Sequence, residues 1–205
     1  MMRTALSLCL ALALAAPASA GQQDERRSDL EAPATAQAVQ KVFKFSRCVA
    51  LRYPTRAANA LALDYRTPEY GEALYKLSQN KSACVGLGRL HFSRVLMAGG
   101  MAETLLERDG VKDLSARISG EVRITARDDV EFTALCVVRM APDAVAALFA
   151  TEPTSAAEKT ALSAITPALP GCVRGGLTVK FNRHGLRAVL ALAAYRIAQT
   201  RAGNS

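Results

Sequence analysis

Apolar residues recur at helical spacing along most of the chain, in stretches separated by proline and by small polar residues. Residues three and four positions apart share one face of an α-helix, so this spacing predicts amphipathic helices. The predicted helices cover residues 35–52, 54–63, 68–79, 93–108, 128–136, 142–150, 155–165 and 182–200. The pattern therefore predicts an all-α fold.

A few stretches depart from this pattern. Residues 87–92 and 173–181 are predicted to be extended, and Pro167 and Pro170 to interrupt the second half of the chain. Residues 121–125 alternate between apolar and polar side chains as a strand does, but no second strand is predicted that could pair with them. We leave their structure open at this point.

Two adjacent glycines, Gly99 and Gly100, lie inside the helix predicted over 93–108. Glycine in a helix interior costs about 1 kcal/mol relative to alanine. The pair therefore indicates either close packing of the backbone against a neighbour or a break in the helix.

The chain carries the same unit twice. When the chain is aligned with itself at an offset of 88 positions, Cys48 falls on Cys136 and Cys84 falls on Cys172 (136 − 48 = 88 and 172 − 84 = 88). The other identities at this offset are Val49 with Val137, Pro54 with Pro142, Ala58 with Ala146, Ala62 with Ala150, Ala73 with Ala161, Leu74 with Leu162, Val85 with Val173 and Gly88 with Gly176. We interpret them as an internal duplication of a unit of three to four helices. Repeat 1 covers 35–108, repeat 2 covers 127–201, a linker of residues 109–126 joins them, and 202–205 form a tail.

Residues 1–20 are typical of a secretory signal peptide: Arg3 is followed by an apolar run over 5–16 and by the small residues 18–20. That run is too short to span a bilayer. No later stretch predicts a transmembrane segment, and residues 21–34 are typical of a flexible polar arm. We therefore expect a periplasmic or secreted protein.

Export changes the expected role of the cysteines. Cys9 lies in the signal peptide, and the four that remain are more typical of disulfides than of metal ligands or nucleophiles in an oxidising compartment. If the helices of each repeat run antiparallel, Cys48 can meet Cys84 and Cys136 can meet Cys172. Four cysteines allow three pairings, and the other two stay open.

Charge is distributed unevenly along the chain, whose net charge is +8. No acidic residue follows Glu158, whereas the basic residues after it are Lys159, Arg174, Lys180, Arg183, Arg187, Arg196 and Arg201. Arg183, Arg187 and Arg201 lie on one side of the last helix, within about 40 degrees of one another. They indicate a basic surface that binds an envelope protein or an anionic envelope component. The alternative is a role in solubility and in complementing the helix dipole.

A Phe-x-Arg sequence occurs once in each repeat, as Phe92 with Arg94 and as Phe181 with Arg183. We favour the interpretation that the phenylalanine fills the core while the arginine pairs with a carbonyl or an acid near the next helix. The second interpretation gives Arg94 and Arg183 a role in binding. Nucleic acid is not an expected partner, because aromatic residues are not interleaved with the basic ones and the protein is expected to be exported.

The sequence predicts no catalytic residue, no metal site and no cofactor. His91 and His184 are the two histidines, and neither belongs to a zinc, serine hydrolase or phosphate-loop motif. Glu103 is isolated on its helix and is interpreted as a solvated side chain. A Ser/His/Asp site built from distant residues stays open.

The duplicated Cys-Val pairs, the proline that follows each first pair, and the Phe-x-Arg that leads into residues 96–103 resemble a group of exported proteins of alphaproteobacteria. That resemblance implies export and a helical fold with paired cysteines. It implies no activity and no site residues.

These observations lead to a functional hypothesis. The protein is expected to be an exported, non-enzymatic binding or structural protein of the cell envelope, with a basic carboxyl-terminal surface for its partner. The alternative is an exported hydrolase with a dispersed catalytic site.

Overall fold

A computed structural model of the chain describes residues 35–79, 84, 93–109, 113–119, 123–175 and 180–203. All regular elements in these ranges are helices, so the predicted all-α fold is confirmed. The predicted signal peptide over 1–20, the arm over 21–34 and the extended segment over 87–92 lie outside the described residues.

In the described part of the first half, the helices with defined bounds are α1 (Ala36–Arg52), α2 (Pro54–Ala62), α3 (Pro68–Ser78) and α4 (Arg94–Arg108). Their starts follow from the sequence. The Thr35 side chain accepts a hydrogen bond from the Ala38 N–H, at 3.2 Å, as a helix N-cap does. Pro54 and Pro68 occupy first-turn positions, where the N–H that proline lacks is not needed.

The second half contains α5 (Leu114–Ile118), α6 (Asp129–Met140), α7 (Pro142–Phe149), α8 (Ala156–Ile165), a 3-10 turn (Thr166–Ala168), α9 (Leu169–Cys172) and α10 (Arg183–Ala202). The short helix α5 lies in the stretch that was predicted to be a linker. Residues 123–126 form no strand. Pro167 and Pro170 follow the end of α8, but helical turns continue to Cys172 because each proline again occupies a first-turn position.

Helix α4 lies at the centre of the fold and packs against α1 on one side and α10 on the other, while α10 also packs against α6. The two glycines of α4 make both close approaches possible. A Cβ built on Gly99 would lie 2.5 Å from the Cα of Ala188 in α10, and a Cβ built on Gly100 would lie 2.7 Å from the Cβ of Ser46 in α1. The prediction of close backbone packing at this pair is confirmed.

Gly99→Ala is expected to destabilise the protein by about 1–2 kcal/mol. The added methyl group would overlap the Ala188 backbone, and overpacking of this kind costs about 1–3 kcal/mol, which the better helix propensity of alanine offsets only in part. Urea unfolding measures the difference. Gly171→Ala is the matched control, because a Cβ there meets no atom within 4 Å. Equal unfolding free energies for the two variants would contradict the close approach.

Two disulfides connect elements within each half. Cys48 is bonded to Cys84 with a Cα–Cα distance of 5.6 Å, and Cys136 to Cys172 with a distance of 5.5 Å. Each joins residues 36 positions apart. Of the three pairings that the sequence allowed, the one within each predicted repeat is therefore confirmed.

The halves also share a local turn. Tyr53 and Ala141, which are 88 positions apart, have φ and ψ of −130° and 56° and of −135° and 52°, and a proline opens the next helix after each. The similar backbone angles give the chain a similar bend between consecutive helices in each half.

Among the described residues, no single helix has both the length and the apolar character needed to cross a membrane. Two consecutive helices, Asp129–Met140 and Pro142–Phe149, are together long and apolar enough, but their axes are bent by 101° with respect to each other.

Candidate functional site

An apolar cavity of about 330 Å³ lies where the two halves of the chain meet. Its apolar lining consists of Leu61, Leu63, Tyr65, Tyr70, Val95, Val130, Val189, Leu192, Ala193 and Tyr195. The first five belong to the first half of the chain and the others to α6 and α10. The cavity is thus built by packing between the halves rather than by either half alone.

Large apolar side chains reach solvent beside this cavity. Leu63 is 36% exposed and Val130 is 38% exposed, and both line the cavity. Apolar side chains of this size are most often buried, so their exposure around a concave apolar surface is a feature of ligand sites.

Five charged residues also line the cavity: Arg94, Arg127, Asp128, Glu131 and Arg196. Three are basic and two are acidic, which leaves one positive charge in excess. The distribution of that excess depends on which of the arginines are already paired.

Glu131 engages two of the three arginines. Its carboxylate accepts hydrogen bonds from the backbone N–H of Arg127 at 2.6 Å, from the Arg127 side chain at 3.5 Å and from the Arg196 guanidinium. Asp128 is the N-cap of α6 and accepts from the backbone N–H of Glu131 at 2.8 Å. Arg127 and Arg196 therefore share the Glu131 carboxylate, and Arg127 also lies 3.9 Å from the carboxylate of Asp64.

Arg94, the first residue of α4, has no acidic partner within ion-pair distance among the described residues. Its guanidinium lies against α3 at Gly71, since a Cβ built on that glycine would lie 2.8 Å from Nη1 of Arg94. The absence of a side chain at position 71 leaves room for the guanidinium. Arg94 is thus the cavity arginine that no described carboxylate engages.

Three tyrosines contribute to the cavity wall as neutral rings. Burial raises the pKa of Tyr70 to about 12, against the opposing effect of Arg127 and Arg94. Burial, together with the neighbouring Asp128 carboxylate, raises the pKa of Tyr65 well above its usual range, and burial also raises that of Tyr195. None of these rings becomes charged near neutral pH.

No protein-family model, no curated protein and no solved structure matches this chain. The chemistry proposed for the cavity therefore comes from its own residues.

The basic residues that the sequence singled out on α10 do not form one exposed surface. Arg183 contacts the Ser155 carbonyl and the Glu158 carboxylate. Arg201 donates to the Ala116 carbonyl at 2.9 Å, about 27 Å further along the helix at ~1.5 Å per residue. For Arg183, pairing with a carbonyl and an acid near another helix is the interpretation favoured from the sequence.

The structure corrects the placement of Arg187, which is fully buried instead of lying on a basic surface. Its Nε donates to Glu103 at 3.0 Å, its Nη1 to Glu158 at 3.3 Å and its Nη2 to the Thr151 carbonyl at 2.8 Å. Its guanidinium is thereby occupied on every side. Arg187 joins α4, α8 and α10 inside the protein and cannot contact an external partner.

Glu103 is also not the solvated side chain expected from the sequence, because it is 7% exposed and paired with Arg187. Burial raises the pKa of Glu103. Glu158 shares Arg187 but has two further partners: Nε of Arg183 forms an ion pair with it at 2.6 Å, and the Thr154 N–H donates a hydrogen bond at 2.9 Å. Among the described residues, Glu103 has Arg187 as its single partner. Of the two glutamates, Glu103 therefore has the fewer contacts that stabilise its charge.

The histidines bear on the hydrolase alternative. Burial lowers the pKa of His184, and no described residue is a hydrogen-bond partner of its buried Nδ1. His91 lies outside the described residues. His184 lines neither the apolar cavity, nor the polar cavity over α1 and α4, nor the cavity beside Cys136.

A polar cavity of about 540 Å³ lies over α1 and α4, and its charged lining residues are Lys44, Arg47, Glu103, Glu107 and Glu152. Arg47 pairs with Glu107. A third cavity, of about 500 Å³, lies beside Cys136, where Arg174 pairs with Asp129 at 2.9 Å. In the described ranges, no group of three or more His, Cys, Asp or Glu is arranged to hold a metal ion. Of the basic residues without an acidic partner among the described residues, Arg94 is the one that lines the apolar cavity.

Proposed function

We propose that this is an exported, non-enzymatic binding protein of the cell envelope that holds a small apolar ligand in the cavity between its two halves. The observation that carries the proposal is the cavity itself, with its apolar lining, its exposed apolar residues and a few charged groups. Small-molecule sites in proteins are typically pockets of ~300–1,000 Å³ with this composition. The basic last helix contributes one wall of the site through Val189, Leu192 and Arg196.

Export is part of the proposal. The two disulfides are typical of proteins in oxidising compartments, and residues 1–20 have the pattern of a signal peptide. A periplasmic or secreted location, and a relation to the exported alphaproteobacterial proteins that the chain resembles, are consistent with both features.

Internal duplication is also proposed. It is supported by the common offset of 88 between the disulfides and by the similar backbone angles at Tyr53 and Ala141. The packing of α1 with α4 and of α6 with α10 pairs equivalent helices of the two copies. A site between two related halves is a common place for a ligand because their packed surfaces enclose it from both sides.

The secreted protein, with its disulfides intact, is expected to bind the neutral fluorescent probe N-phenyl-1-naphthylamine saturably at one site. Val95→Trp replaces a small aliphatic side chain of the cavity wall with an indole ring. It is expected to weaken probe binding at least about tenfold, because the indole occupies volume that the probe needs. Probe fluorescence measured against protein concentration gives both affinities.

Leu51→Trp is the matched control, since Leu51 is 51% exposed and lines none of the three cavities. Circular dichroism of both variants checks the fold. If Val95→Trp fails to fold, Val130→Trp makes the same test at a more exposed position of the cavity. Absence of saturable binding, or equal affinity in a folded cavity variant and the control, would overturn the proposal.

A further inference from the structure

Among the described residues, Arg94 is the arginine of the apolar cavity that has no acidic partner. Glu131 holds Arg127 and Arg196, whereas Arg94 has no acidic partner among the described residues. An unpaired guanidinium beside an apolar surface is well suited to a ligand that has an apolar body and an anionic end, because it offers several N–H donors to a carboxylate.

The position of Arg94 fits this role. It is exposed, and its guanidinium rests where Gly71 leaves space beside the buried ring of Tyr70. An anion that binds Arg94 therefore remains in contact with water, while a chain attached to it can enter the cavity that Val95 and Leu192 line. This arrangement avoids placing a charge in the apolar interior, which would be strongly unfavourable.

The neighbouring carboxylates limit the charge of the ligand. Asp128 and Glu131 line the same cavity, and both would repel a second negative charge placed near the first. A monoanion is therefore favoured over a dianion or a polyanionic polymer.

The size of the cavity limits the length of the ligand's apolar chain. Its volume of about 330 Å³ lies near the lower end of the range for small-molecule pockets. A single alkyl chain of medium length can be enclosed, whereas a lipid with two long chains requires more space.

We infer that the ligand of this cavity is a medium-chain fatty acid in its carboxylate form, with its chain among the apolar side chains and its carboxylate on Arg94. This inference rests on the proposed function and adds to it the chemical class of the ligand.

Displacement of N-phenyl-1-naphthylamine by decanoate and by decanol, at pH 7, tests the inference on the unmodified protein. Decanoate is expected to bind about ten- to a hundredfold more tightly than decanol, the range that a hydrogen bond to a charged group provides. Decyl phosphate, which carries more negative charge at this pH, is expected to bind less tightly than decanoate. Equal affinities for decanoate and decanol would overturn the inference.

Arg94→Gln tests the residue itself. It is expected to abolish the preference for decanoate over decanol, because glutamine keeps hydrogen-bond donors but carries no positive charge. Arg56→Gln is the matched control, because Arg56 is exposed and lines none of the three cavities. Arg94→Lys, which keeps the charge, is expected to retain part of the preference. A preference that survives in Arg94→Gln would overturn the assignment to Arg94.

The outcomes separate this inference from the proposed function. If the unmodified protein does not bind the probe, the proposed function is contradicted. If it binds the probe but does not prefer decanoate to decanol, only the inference of a fatty-acid ligand is contradicted. Retention on vesicles of an anionic phospholipid, with no competition by decanoate, would identify a membrane surface as the ligand and would also overturn the inference.

Discussion

Arg187→Met is expected to lower the free energy of unfolding by about 3–5 kcal/mol at neutral pH. Methionine approximates the aliphatic stem of the arginine side chain but lacks the guanidinium, so the carboxylate of Glu103 is left buried without a partner among the described residues. Glu158 loses one donor but keeps Arg183. Removal of one member of a buried ion pair is strongly destabilising because the remaining charge has neither water nor a counter-charge. Urea unfolding followed by circular dichroism measures the loss.

The size of this loss is expected to depend on pH. Burial already raises the pKa of Glu103, and removal of the guanidinium raises it further. A carboxyl group whose pKa is higher in the folded than in the unfolded state contributes its full stability below the unfolded value and loses it as the pH rises through the folded value. The destabilisation by Arg187→Met should therefore be smaller near pH 4.5 than at pH 8.

Two variants separate this explanation from a general effect of losing an arginine. Arg47→Met removes one partner of an exposed pair with Glu107 and should cost at most about 1 kcal/mol. The double variant Arg187→Met with Glu103→Met removes the unpaired carboxylate and should recover much of the stability lost in the single variant. A double variant no more stable than Arg187→Met would show that the buried charge is not the cause.

The helices could be predicted because their signals are local. Thr35, Ser93, Asp128, Ser155 and Asn182 all act as N-caps whose side chains accept backbone hydrogen bonds in the first turn. These positions and the periodic apolar residues need no knowledge of the rest of the fold. Helix α5 was missed because a single turn and a half offers too few residues for a periodic pattern.

The buried ion-pair cluster and the cavity could not be predicted, because both depend on contacts between distant residues. Glu103 and Arg187 are 84 positions apart, and no local pattern distinguishes a glutamate that will be buried from one that stays in water. The two Phe-x-Arg sequences, which match at an offset of 89, have arginines in different environments: Arg183 is held by Glu158, and Arg94 has no acidic partner among the described residues. Arg94 could be named from the sequence as a candidate, but its contact with an apolar cavity could not.

Removal of either disulfide, by Cys48→Ala with Cys84→Ala or by Cys136→Ala with Cys172→Ala, is expected to destabilise the protein by about 4 kcal/mol. Each bond closes a loop between residues 36 positions apart, so each restricts the unfolded chain to the same extent. The two double variants should therefore have similar unfolding free energies in urea without reductant. Removal of both disulfides should cost about 8 kcal/mol, comparable to the whole stability of ~5–15 kcal/mol that is typical of a folded domain.

Comparison with the reduced, unmodified protein tests whether the loss comes from the bond or from packing of the sulfur atoms. Cys172 is 1% exposed, whereas Cys136 and the cysteines of the other pair are partly exposed, so a packing effect would make the second pair the more costly to remove. An effect on the unfolded chain would make the two pairs equal and would give the reduced protein the stability of the variant that lacks all four cysteines. Unequal losses would contradict the chain-entropy explanation, because loops of the same length restrict the unfolded state equally wherever they lie in the fold.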